Sequence, residues 1–120
     1  AFVDLRYLMP LGTPYEHALQ QSIVTTRAIC STFWIPIFKF GVCHSLHNRC
    51  FSPVYGYEMT GYASFVPLFQ SQPDVCGDLE VDLIEHFNAT PGIQNRQGGR
   101  ETLPRRPPCF TYVVFRGALA

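Results

Sequence analysis

The chain has 120 residues, 47% apolar and 15% charged, and its nine basic and nine acidic side chains leave a formal net charge of zero. That length suits one folded domain spanning 1–120, since two would each be too small for a good core. Neutrality removes any global attraction to nucleic acid or anionic membrane, and without a run of eighteen apolar residues there is no membrane span.

At the N-terminus, the alternation of Phe2, Asp4 and Arg6 with Val3, Leu5 and Tyr7 fits a short strand, closed by Pro10, Gly12 and Pro14. The chain lacks an initiator Met and a charged stretch ahead of an apolar one, which reads as a processed end rather than an intact signal peptide. Thr13, Pro14 and Glu16 then have the pattern of N-cap, first helical residue and capping-box acid, so one N-terminal helix is expected over about 14–28. Tyr15, Ala18, Leu19, Ser22 and Ile23 share one helical face. The β-branched run Ile23, Val24, Thr25 and Thr26 argues for an early end.

From Ser31 to Cys43 both alternating sets are apolar, Phe33, Ile35 and Ile37 on one side and Trp34, Phe38 and Phe40 on the other. A strand of that kind is buried on both faces or lies at an interface. Pro36 places it at a sheet edge or marks a bulge, and an exposed apolar edge invites pairing with another chain. Trp34, Phe38 and Phe40 are therefore candidate interaction residues.

Cys43, His44, His47 and Cys50 make the segment densest in reactive side chains, expected to be a turn between strands. Three readings compete: a Cys43–Cys50 disulfide or two buried thiols, a zinc site with Cys43, His47 and Cys50 as ligands, and a Cys–His hydrolase or transferase. The Cys-x3-His and His-x2-Cys arms match common zinc spacing poorly, and a fourth ligand must come from elsewhere. Five cysteines are an odd number, so at least one is free, metal-bound or paired with another chain.

Tyr55, Tyr57, Tyr62, Phe65 and Phe69, with Gly56 and Gly61, suit twisted, half-buried strands. Leu79 to Phe87 is consistent with both periods; its nine residues, flanked by Gly77 before and by Asn88, Pro91 and Gly92 after, favour a strand with Glu80, Asp82 and His86 on its outer face. Asn88-Ala89-Thr90 has the form of an N-glycosylation acceptor, which favours an extracellular or otherwise oxidising compartment, although Pro91 disfavours its use. Residues 90–108 form a long irregular segment carrying Arg96, Arg100, Arg105 and Arg106. These arginines oppose the acidic block Asp74, Asp78, Glu80, Asp82 and Glu85, with pairing inside one copy or docking between copies as the outcomes. Four arginines without interleaved aromatics are a weak nucleic-acid signal. Cys109 to Ala118 is a β-branched and aromatic strand.

The expected fold is α+β and strand-rich, an antiparallel sheet or sandwich with one helix. The expected function is that of a non-enzymatic structural or interaction protein, self-assembling through its apolar edge and opposed charges. Zinc binding is the alternative, and no other cofactor is expected.

Overall fold

The computed structural model describes residues 2–53, 56–96, 98–100 and 103–119. Among them the order of elements is α1 (Tyr15–Cys30), β1 (Phe33–Cys43), α2 (Leu46–Phe51), β2 (Ser64–Ser71), α3 (Pro73–Phe87) and β3 (Cys109–Leu119). The strands form one antiparallel sheet in the order β1-β3-β2. The fold class is α+β. Three helices accompany the sheet instead of one, and the segment expected as a fourth strand is α3, so the strand-rich expectation is met only in part.

The reading of 79–87 as a strand missed where the helix starts. Pro73 occupies the first turn, where its lack of an amide hydrogen costs nothing, and Asp74 faces the positive helix end. Counted from there, Cys76, Leu79, Leu83, Ile84 and Phe87 form one helical stripe, and all are buried. Glu80, Asp82 and His86 do not share a face. Glu80 is buried, the Tyr15 hydroxyl donates to Asp82, and His86 Nε2 lies 2.8 Å from Arg27 Nη2.

Helix α1 runs through its β-branched cluster, because Thr25 and Thr26 are buried beside Ala18, Ser22 and Ile23. Burial of this face outweighs a weak intrinsic preference. Thr13 does not cap the helix; its hydroxyl donates to the Pro10 carbonyl at 2.6 Å, and Pro14 holds the N-cap position.

Alternation along the sheet creates two cores. One face presents Phe38, Phe40, Val42, Val66, Leu68, Val113 and Phe115 to α1 and α3. The other presents Cys43, Phe65, Tyr112 and Val114 to Cys50 of α2 and to Tyr57. The register shift between Phe33 and Ile35 breaks the expected grouping of Trp34 with Phe38 and Phe40. Trp34 is 76% exposed and Ile35 61%, whereas Phe38 and Phe40 are fully buried.

Both outer edges of the sheet are covered for part of their length. Along β1, the Phe38 amide donates to Gly92 O at 3.0 Å and the Gln94 amide to Phe38 O at 2.8 Å. Asn95 continues this pairing through its side chain, accepting from the Phe40 amide and donating to its carbonyl, each at 2.8 Å. Along β2, Asp4 N–H donates to Phe65 O and Met9 N–H to Leu68 O. The first residues thus contribute a bridge at Val3 rather than a full strand. Over those stretches the edge offers no free ladder to another chain.

Candidate functional site

The residues that meet at the β1 edge define a cavity of about 420 Å³ lined by Lys39, Phe40, Gly41, Val42, Arg49, Tyr57, Glu80, Gln94, Asn95, Arg96 and Tyr112. Its floor follows from strand alternation. Lys39 and Gly41 share the face opposite Phe38 and Phe40, and Gly41 pairs with Tyr112 of β3. A Cβ at Gly41 would overlap the Tyr112 phenol, so only glycine lets that ring lie across the strand. The Tyr112 and Tyr57 hydroxyls are 2.8 Å apart, and the Phe65 ring stacks on Tyr112 at 4.5 Å between centroids.

Arg49 reaches this floor from α2, a short helix started by Ser45, whose hydroxyl accepts from the Asn48 amide at 3.2 Å. Burial pulls the Arg49 guanidinium down, but Tyr112, Tyr57 and Cys43 beside it outweigh that and hold it above its ordinary value. It carries its charge at any ordinary pH. Burial raises Tyr57, against the opposing pull of Tyr112 and Arg49, and raises Tyr112 further. Both phenols stay neutral at neutral pH and can donate hydrogen bonds.

Glu80 reaches the cavity from α3. Its Oε1 accepts from the Arg100 amide at 2.8 Å, and Arg100 is anchored through Nη1 to Asp78 at 2.8 Å and through Nη2 to Asp74 at 3.4 Å. The segment after α3 supplies Gln94, Asn95 and Arg96 as a rim while it covers β1. A second cavity, lined by Cys43, His44, Ser45, Asn48 and Thr60, shares Lys39, Arg49 and Tyr57 with the first.

The candidate metal ligands are separated. Cys43 and Cys50 point into the second core, while His47 is exposed and packs against Phe51 at 5.3 Å. Among the described residues no three His, Cys, Asp or Glu side chains converge to hold an ion. All five cysteines carry free thiols, and burial pushes Cys43 and Cys50 up to about 12, which suits inert thiols rather than nucleophiles. The expected turn at 43–50 is instead the end of β1 followed by α2.

The remaining candidates are dispersed. Arg96 is at the cavity rim, Arg100 pairs within the chain, and Arg105 and Arg106 are exposed. Asn88 is exposed at the C-cap of α3. Tyr55 lies outside the described residues. Sequence reasoning missed Arg49, Tyr57, Gln94, Asn95 and Tyr112 as a group. One usable signal was Lys39, the chain's lone lysine, set two residues before Gly41 in an otherwise apolar strand. Compared with known proteins, the chain matches no family model, no curated protein and no solved structure.

Proposed function

We propose that the Arg49 cavity binds a phosphate ester. The observation that carries this is its charge: among the described lining residues, Lys39, Arg49 and Arg96 are three cations around one space and Glu80 is the one acid. The Arg49 fork, the Lys39 ammonium, the one phenolic O–H that the Tyr57–Tyr112 hydrogen bond leaves over and two carboxamides together supply donors for an oxyanion with several oxygens. The volume suits a group of nucleotide size. Titration calorimetry with pyrophosphate and with a nucleoside monophosphate tests the reading. Saturable binding that weakens at least about tenfold in Arg49→Ala, and less in Arg49→Lys, is expected. Absence of saturable binding, or an unchanged Kd in Arg49→Ala, overturns it.

Metal-assisted hydrolysis of the bound ester would rest on Glu80, the one carboxylate among the described lining residues. A magnesium ion is commonly held by one or two carboxylates, water and the substrate phosphate, and Glu80, whose Oε1 accepts from the Arg100 amide, would be the carboxylate to hold it beside the cationic wall. Arg49 and Lys39 would then stabilise charge developing on the phosphoryl oxygens. Magnesium-dependent cleavage of bis(p-nitrophenyl) phosphate that is lost in Glu80→Gln, with pyrophosphate binding retained, is the expected result. A Glu80→Gln variant as active as the wild type refutes the assignment.

A second reading rests on the exposure of Trp34 and Ile35 at the free start of β1. It keeps the interaction role in a reduced form, with these two side chains as the contact to a second copy. Light scattering at high concentration, wild type against Trp34→Ala, tests it; a monomer in both cases removes it.

A further inference from the structure

A pair of thiols lies outside the cavity. Cys76, in the first turn of α3, and Cys109, the first residue of β3, are both completely buried in the helix-side core. The Cys76 Sγ–H donates to the Cys109 carbonyl at 3.2 Å, so the Cys76 sulfur lies against the residue that carries the other thiol. Thr111 fixes the geometry from the strand, its hydroxyl donating to Cys76 O at 2.9 Å. That contact brings the two cysteines side by side, the proximity that a disulfide requires.

We infer that Cys76 and Cys109 form a disulfide that ties α3 to β3 when the chain meets a low-molecular-weight disulfide such as oxidised glutathione. Cys76 is the attacking group, because it lies in the first turn of α3 whereas Cys109 begins the central strand of the sheet, and its pKa is held below the ordinary value although burial opposes this. The Cys76 thiolate attacks one sulfur of the reagent, forming a mixed disulfide and expelling a thiolate, which takes up a proton. Cys109 then gives up its proton and attacks the Cys76 sulfur, expelling the second reagent thiolate, which is protonated in turn. Two protein thiols are oxidised by two electrons, and the small disulfide is reduced to two thiols.

Burial sets the rate. Neither sulfur is open to a reagent in the closed fold, so exchange requires opening of the first turn of α3 or takes place before the chain closes. The loop that the bond closes carries Glu80, Gln94, Asn95 and Arg96. Oxidation therefore fastens the segment that covers β1, whatever the cavity binds.

The test is refolding of the full wild-type chain in a glutathione redox buffer, acid quench, alkylation in denaturant and peptide mapping by mass spectrometry. Three alkylated cysteines of the five, with residues 76 and 109 in one linked peptide, are the expected result. Five alkylated cysteines, or a linked peptide joining another pair such as Cys43 and Cys50, overturn the inference. The wild-type chain carries the whole test, so no variant has to fold.

Discussion

Replacing Gly41 with alanine tests whether the cavity floor is built as described. The added Cβ would overlap the hydroxyl and a ring carbon of Tyr112, whose side chain is fully buried. The backbone at 41 does not have positive φ, so the cost comes from the clash. Forcing one carbon into a filled core costs ~1–3 kcal/mol. Pushing the Tyr112 hydroxyl off Tyr57 forfeits a buried hydrogen bond worth about 1 kcal/mol. The sum is about 2–4 kcal/mol, which in a chain of this size lowers Tm by roughly 8–16 °C. Thermal unfolding followed by circular dichroism measures it. Tyr57→Phe is the companion variant, expected to lower Tm by about 4 °C through the hydrogen bond alone. A Gly41→Ala protein melting within about 2 °C of the wild type would show that Tyr112 does not depend on the missing side chain, and the account of the floor would fail.

Further consequences can be measured separately. Gly92 has a φ of +96°, and a Cβ there would strike the Pro36 carbonyl, so Gly92→Ala is expected to lose about 2 kcal/mol or more and to lift the cover from β1. Light scattering should then rise with concentration; an unchanged, stable monomer would refute the covering role. Burial pushes the Cys43 thiol from 9.0 to about 12, so the folded chain holds that proton where the unfolded chain has lost it. Its contribution is complete below pH 9 and declines as pH rises from 9 toward 12, by about 1.4 kcal/mol per pH unit, and urea unfolding that is flat from pH 8 to 11 would contradict it. Asp4 has the opposite sign: hydrogen bonding from Arg6 lowers its pKa, so its stabilisation is present above its ordinary value of 3.8 and fades as the solution is acidified below it. An Asp4→Asn protein should therefore show a weaker acid dependence of Tm than the wild type, and identical profiles would argue against the pair. Arg100→Ala removes ion pairs to exposed Asp74 and Asp78 and should cost less than about 1 kcal/mol, diminishing with added salt.

Legibility from the sequence varied by element. The strand at 33–43, the strand from 109 and the helix after Pro14 were all readable, because their β-branched, aromatic and amphipathic patterns are local properties. The Leu79–Phe87 segment misled because it satisfies both periods, and the proline and acid that decide the matter lie at 73 and 74. Trp34 was grouped with Phe38 and Phe40, and a register shift separates them, which alternation within one strand cannot reveal. The Cys43 to Cys50 segment is dense in thiols and imidazoles, yet its contribution to the cavity is Arg49, a residue without a motif around it.

By itself, the sequence determined where chain segments prefer to be extended or helical, and which apolar residues had to leave water. Only the tertiary structure decided that residues 92–95 cover the β1 edge and that Arg100 pairs with Asp74 and Asp78 inside the same chain. It also decided that Lys39, Arg49, Tyr57, Glu80, Asn95 and Tyr112 share one space. The reason is the range of the interactions involved. Backbone preference and burial act within a few residues, whereas the cavity joins groups from β1, α2, α3, β3 and the loops between them, and their meeting is fixed only when the sheet closes.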